Sequence, residues 1–292
     1  MFDGLLMHPN TRTNLDAFIK SPSHALLLVG LDGSGKTYVA EHLAAVLLGI
    51  NHAKLAEYPY YLRISRPDGK KDIPIEAVRE ATKLLRLKVP GDHKINRLIL
   101  VQDAHYMNAQ AQNAFLKSLE EPPQGTVFIL TSSSAAGLLP TIASRAQKIA
   151  VHPISLESAS EFYGAKHSAG ELNAAWQLSE GLAGLLNNLL MGENDQLKAS
   201  IDQAKDIFRQ NTYQRLISFD KIGRDKDQLS AVLEAMARIT KVLYRQAATK
   251  GRAKQTKALL EAARLIVEAQ NDLRASVSPK LVSLKLVLNL RV

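Results

Sequence analysis

Residues 24–37 read HALLLVGLDGSGKT. The first seven are an apolar run ending on glycine, the pattern of a buried strand. From Lys36 to Leu48 the apolar positions Val39, Leu43, Val46 and Leu47 follow a helical period. Between them, Gly30, Leu31, Asp32, Gly33, Ser34, Gly35, Lys36 and Thr37 match G-x-x-x-x-G-K-[ST] in full. Glycines let the backbone curl so that successive N–H groups face phosphate oxygens. The helix that starts there adds its positive dipole end. In such a loop Lys36 reaches the β- and γ-phosphates and the Thr37 hydroxyl ligates Mg²⁺. ATP and Mg²⁺ are therefore the expected cofactors, with residues 30–37 lining their site.

Working outward, RLILV at 97–101, TVFILT at 126–131 and KIAV at 148–151 read as further strands. IEAVREATKLLRLK at 75–88 reads as an amphipathic helix, and Ala109 to Leu119 as another, stopped by Pro122 and Pro123. Apolar strands alternating with helices predict a parallel α/β sheet covered on both faces. After Pro153 only helical periodicity remains, with Trp176 expected in a small helical core. The polar segment MGENDQ at 191–196 suggests a second boundary. The expected layout is an α/β nucleotide-binding domain at 1–152, a helical lid at 153–196 and a helical C-terminal domain at 197–292.

The chain has 292 residues, 22% of them charged, which suits about two globular domains and argues against wholesale disorder. No run of about 18 apolar residues marks a membrane span. MFDGLLMHPN lacks the basic start and apolar stretch of a secretory leader. Without cysteine there is no disulfide, thiolate zinc site or thiol catalysis, which fits a reducing cytoplasm. Residues 197–292 hold 19 basic and 9 acidic residues, a surplus of +10, while residues 1–196 stand at −1. Such a surplus suits a polyanion or an acidic partner, or is simply a solvated helical face.

A P-loop protein that turns over ATP needs acids at the end of a neighbouring strand, one for Mg²⁺ and one to orient water. Here LILV runs into Gln102-Asp103-Ala104-His105. Gln102 is neutral, and Asp103 is one methylene shorter than Glu. Nucleotide binding with poor turnover is the expectation. His42, His52, His93 and His105 have no ligand spacing and read as surface or packing residues.

HALLLVGLDGSGKT, RLILVQDAHYMNAQAQNAFLKSLEEPP and TVFILTSSSAAGLLPTIASRAQ, in that order, resemble the bacterial clamp-loader family of AAA+ proteins over about residues 24–152. RPDGKKDIPIEAVREATKLL at 66–85 is similar to the family's link between P-loop and second strand. The D-A form of the acidic motif resembles the delta-prime branch of the family more than its motor subunits, gamma or tau, which carry D-E-x-x. The resemblance implies one place in a five-subunit ring, with gamma/tau-like and delta-like partners, that opens a sliding clamp and sets it on primed DNA. It also implies that Arg145, beside Ser144, contacts ATP on a neighbouring motor subunit. A guanidinium supplied across an interface neutralises charge developing on the γ-phosphate. Thr131 matches the family's polar sensor position.

The sequence departs from the family pattern in places. Ala146 replaces the cysteine of S-R-C, and GINHAKLAEYPYY at 49–61 is too short for the family's four-cysteine zinc module. In the lid segment SEGLAGLLNNLL, Gly184 or its neighbours stand where an arginine sensor is usual. The family's C-terminal region forms a collar that joins the subunits, and 229–247 and 256–270 suit such a bundle. No base-reading motif is present, so any DNA contact is to backbone phosphates. Two other functions remain open: an ATP-hydrolysing motor, favoured by the intact loop, and a P-loop phosphotransferase, disfavoured by the helical C-terminal half.

Overall fold

The computed structural model describes residues 2, 4–67, 69–85, 89, 94–192 and 195–291. In chain order its α/β part runs α1 (Pro9–Lys20), β1 (Ala25–Val29), α2 (Lys36–Leu48), β2 (Tyr61–Ile64), α3 (Ile75–Leu84), β3 (Arg97–Val101), α4 (Ala109–Glu120), β4 (Thr126–Ser132), α5 (Pro140–Ala143) and β5 (Gln147–Ala150). The elements that follow are all helical: α6 (Leu156–Tyr163), α7 (Ala169–Ser179), α8 (Ala183–Met191), α9 (Asp195–Arg209), α10 (Thr212–Ile222), α11 (Lys226–Thr249), α12 (Ala253–Arg274) and α13 (Pro279–Asn289). Two compact units result, Met1–Ala169 with Gly181–Leu185, and Gly170–Glu180 with Leu186–Val292.

The five strands are parallel in the order β2-β3-β4-β1-β5. Their pleat divides the apolar residues between two cores. Leu26, Leu28, Leu98, Leu100, Val127 and Ile129 face the core that holds Val39, Leu43 and Ala44 of α2 with Leu15 and Phe18 of α1. Leu27, Ile99, Val101, Phe128 and Leu130 face the core made by Val78 of α3, Phe115 and Leu119 of α4 and Ile142 of α5. A sheet buried on both faces explains why β1, β3 and β4 are continuous apolar runs rather than alternating ones. The chain leaves β1 for the far edge of the sheet and returns through β3 to β4, with β5 added on the other side. The carboxyl ends of β1 and β4 therefore flank the crevice where ligands of open α/β sheets bind.

Three elements of the α/β part lie outside the sequence reading: the four-residue α5, β2 and α1. β2 is an edge strand of only four residues, its side chains half-buried or exposed except for Ile64, so YLRI carries no apolar run. α1 begins at Pro9, whose fixed φ suits a first helical position, and His8 caps it by accepting from the Asn10 N–H. Its buried Thr11 donates to the Ala150 carbonyl and accepts from the His152 N–H, which ties the helix to the end of β5. α3 ends at Leu84; residues 86–88 of the expected helix, His93 and residues 193–194 of the expected boundary lie outside the described residues.

In the second unit α9 to α13 enclose Phe219, Leu229, Leu233, Met236, Ile266 and Leu286. Arg215 of α10 is 5% exposed and acts as a staple. Its guanidinium donates to the carbonyls of Ile207 and Phe208 at the end of α9 and to that of Leu290 beyond α13. Trp176 is half-buried on α7. Among the described residues no helix is long and apolar enough to cross a membrane.

Candidate functional site

The loop between β1 and α2 is shaped by its glycines. Gly33 and Gly35 have φ of +86° and +85°, a region an L side chain rarely enters. A Cβ on Gly30 would lie 2.8 Å from the Val151 carbonyl oxygen. Gly35 caps α2 without any side-chain hydrogen bond, so the first amides of the helix are left to an anion. The Ser34 hydroxyl is buried with no partner, a polar atom that a phosphate oxygen would satisfy. Lys36 is 5% exposed, donates to the Leu31 carbonyl at 3.1 Å and lies 3.3 Å from Asp32 Oδ1. A phosphate entering the loop takes the place of the exposed Asp32 carboxylate. The donor set fits a nucleotide's phosphates.

The first turn of α8 sits directly on this loop. The Leu185 N–H donates to the Gly33 carbonyl at 2.8 Å. A Cβ on Gly184 would lie 3.0 Å from both Gly33 O and Gly35 N. The position read as a missing arginine is thus filled by backbone in contact with the P-loop, where a Cβ would force its neighbours to give by a few tenths of an ångström.

At the end of β3 the site departs from a metal-dependent design. Asp103 has φ of +49°, a left-handed conformation that Asp tolerates better than most residues, and its N–H donates to Thr131 Oγ1 at 2.8 Å. Thr131 is fully buried; its hydroxyl accepts from Asp103 and keeps its own proton to donate. The Gln102 carboxamide oxygen accepts from Arg63 of β2, from Nε at 3.1 Å and from Nη2. Arg63 Nη1 donates to Glu41 of α2 at 2.8 Å. Glu41 stands one helical turn beyond Thr37 on α2, and Arg63, itself 45% exposed, links it to Gln102 at the end of β3. Divalent cations in phosphate sites want one or two free carboxylates. Here Glu41 is paired, Gln102 is neutral and occupied, and only Asp103 remains. The residues fit phosphate and leave a divalent cation a single carboxylate, Asp103, with a neutral amide at position 102.

His105 was not a site residue in the sequence reading, but it lies at the mouth of the same crevice. Its ring bonds the hydroxyls of Ser132 and Ser133 at 3.2 and 3.1 Å. Burial lowers its pKa, and the charges of Asp103, Asp32, Lys36 and Arg66 act on it more weakly. Arg66 in turn stacks over the Tyr106 ring at 4.2 Å. His42 and His52 are brought together, their rings stacked at 3.7 Å with Tyr38 alongside. Burial and then the His42 charge push His52 down, against the pull of Glu41. Tyr61 beside them is pushed up to about 12 by burial and the Glu41 charge. Among the described residues no cluster of metal-ligating side chains occurs.

Arg145 follows α5 and precedes β5, the parallel neighbour of β1, so it stands at the amino ends of these strands while the P-loop stands at their carboxyl ends. It is 36% exposed, donates from Nη1 to the Thr141 carbonyl at 2.9 Å, and pairs with Glu120 at the end of α4 at 2.7 Å. Ala146, in the cysteine position of the motif, packs against the core under α4 and α5.

These features define the class: a P-loop α/β fold of the AAA+ type followed by helices. A DNA polymerase III gamma subunit-related protein of Thermotoga maritima shares the fold, with a TM-score of 0.62 over 96% of this chain and 97% of its own, at 19% identity. Residues 15–155 match the family described as DNA polymerase III, delta subunit. The DNA polymerase III subunit delta' of Pseudomonas aeruginosa is 36% identical over 138 residues, 42% of this chain and 41% of its own length. That of Escherichia coli is 30% identical over 198 residues, 62% of this chain and 58% of its own. The matches thus span about half the length of these relatives. Residues 15–155 are thus similar to the delta-prime subunits of DNA polymerase III.

Proposed function

We propose that the chain is a delta-prime-like subunit of a cytoplasmic DNA polymerase III clamp loader. In this reading it binds ATP at Gly30–Thr37 and supplies Arg145 in trans to a neighbouring gamma/tau-like motor subunit while the sliding clamp is set on primed DNA. Residues 1–152 are the nucleotide-binding domain, 153–196 the lid and 197–292 the collar. The observation that carries the reading is the state of Arg145. Its guanidinium is partly exposed and held by a half-exposed carboxylate, and such pairs are worth only about 0–1 kcal/mol. A neighbour's γ-phosphate offers more charge and a bidentate geometry, so Glu120 is readily exchanged for it. The charge developing on that phosphate is then neutralised only in the assembled ring.

Turnover in this chain's own site is expected to be poor. Asp103 is short for a water-orienting acid, and Gln102 is committed to Arg63. Thr131 is kept as the sensor, its free hydroxyl proton directed at the bound nucleotide. The collar reading draws on α13, where Leu281, Leu284 and Leu288 form an exposed apolar stripe one turn apart although the helix already buries Val282, Leu286 and Val287. A neighbouring collar is the occupant this stripe suits.

The test is Arg145→Ala in a loader reconstituted from this chain and its own partner subunits. Nucleotide binding by the chain should be unchanged while ATP turnover by the assembly falls about 10³-fold or more, as for other fingers acting in trans. Unchanged turnover would end the assignment. Brisk DNA-stimulated turnover by the purified chain alone would instead make it a motor subunit.

A further inference from the structure

We propose that the nucleotide site of this chain works without a divalent cation, because Arg63 holds the acceptors of Glu41 and Gln102 and leaves Asp103 as the one free acid. The inference rests on the reading of Gly30–Thr37 as a nucleotide site. Three observations converge. Glu41, the carboxylate one turn beyond Thr37, gives Oε1 to Arg63 Nη1 at 2.8 Å. Gln102, at the end of β3 where a metal-binding acid is needed, gives its only acceptor oxygen to the same guanidinium through Nε at 3.1 Å and Nη2. The Gln102 amide nitrogen lies 3.5 Å from Asp103 Oδ2, so it is a donor rather than an oxygen that faces the remaining acid.

A cation held by Asp103 would meet the Gln102 amide N–H, 3.5 Å from that carboxylate, rather than the Gln102 oxygen, which Arg63 holds. Mg²⁺ gives up its waters reluctantly and demands near-ideal oxygen geometry, so it is the ion least suited to that arrangement. A guanidinium is always charged and cannot yield by losing a proton. Phosphate charge can be met without the ion. Lys36 lies in the loop and the uncapped amides of α2 point into it. Arg63 is 45% exposed, so it can be replaced without opening the core.

The experiment is titration of the full chain with ATP, once with excess Mg²⁺ and once with excess EDTA, followed by the same pair of titrations on Arg63→Met/Gln102→Asp. The wild-type chain should bind ATP in EDTA as tightly as in Mg²⁺, or more tightly. The double variant frees Glu41 and restores the acid, so Mg²⁺ should strengthen its binding by about ten-fold, the lower end of what altered metal-site partners cost. Weaker binding of the wild type in EDTA overturns the inference while leaving the nucleotide reading intact. A double variant that stays indifferent to Mg²⁺ also overturns it, since Arg63 and Gln102 would then not be what excludes the ion. No binding in either buffer overturns the nucleotide reading and this inference with it.

Discussion

Gly184→Ala and Gly170→Ala place the same methyl at the second position of two helices, α8 and α7, in opposite surroundings. At Gly170 an added Cβ meets nothing within 4 Å. Replacing glycine in a helix then stabilises by up to about 1 kcal/mol, because the unfolded chain loses freedom it no longer has to give up. At Gly184 the Cβ would lie 3.0 Å from Gly33 O and Gly35 N and 3.1 Å from Gly35 Cα. These are backbone atoms of the P-loop, not the ends of flexible side chains, so relief requires the loop or the helix to move. Overpacking of this kind costs about 1–3 kcal/mol, so against the helix gain of about 1 kcal/mol the net loss is about 0–2 kcal/mol. Thermal unfolding should show Gly184→Ala melting lower by about 2–4 °C per kcal/mol and Gly170→Ala level or higher. Calorimetry belongs beside circular dichroism, since two compact units need not melt as one transition. A displaced loop should also lose phosphate geometry, so ATP affinity should fall about ten-fold for each 1.4 kcal/mol carried into the bound state. A Gly184→Ala protein as stable as wild type with unchanged ATP affinity would refute the contact between α8 and the P-loop.

Other predictions follow from single residues. Arg215→Met leaves the carbonyls of Ile207, Phe208 and Leu290 without their donor and should cost about 2–4 kcal/mol in denaturant unfolding, with faster hydrogen exchange along α13. His52 has its pKa lowered in the folded chain, chiefly by burial, so its stabilising contribution is complete above the ordinary histidine value and is lost as pH falls through the lower folded one. A pH series of urea midpoints should therefore droop on the acid side, and His52→Gln should flatten that droop; an unchanged slope would discard the stacked His42–His52 pair as its cause. Leu284→Glu on the exposed stripe of α13 should leave the chain's own circular dichroism unchanged and weaken its co-purification with partner loader subunits by at least about 30-fold, the 2 kcal/mol of an interface hot spot.

How much of this was legible in the residues depended on whether a feature was local. β1, β3 and β4 announce themselves because a strand covered on both faces must be apolar throughout, and the P-loop because its glycines and lysine serve one backbone geometry within eight residues. β2 has no such signature: at the sheet edge half of its side chains meet water, and Arg63 breaks the apolar run. α1 was hidden for a related reason, since its inward residues include Thr11, whose reason for burial is the end of β5 more than a hundred positions away. Gly184 was visible only as a missing arginine. Its purpose, backbone contact with Gly33 and Gly35, depends on a fold that brings residues 181–185 back to the loop.

The same distinction decides how Gln102 is understood. Read along the chain it is an acid lost from a motor's motif, a subtraction. In the fold it is one of two acceptors for a guanidinium that reaches it from an edge strand 39 positions earlier in the chain. Restoring Asp at 102 alone would therefore not restore a metal site. The new carboxylate would pair bidentately with Arg63, as guanidinium and carboxylate prefer to do, and the cation would still find its oxygens taken. Loss of the acid and placement of Arg63 are one change in charge distribution. A chain built this way keeps a phosphate-shaped loop while holding a guanidinium against the position where turnover needs an acid.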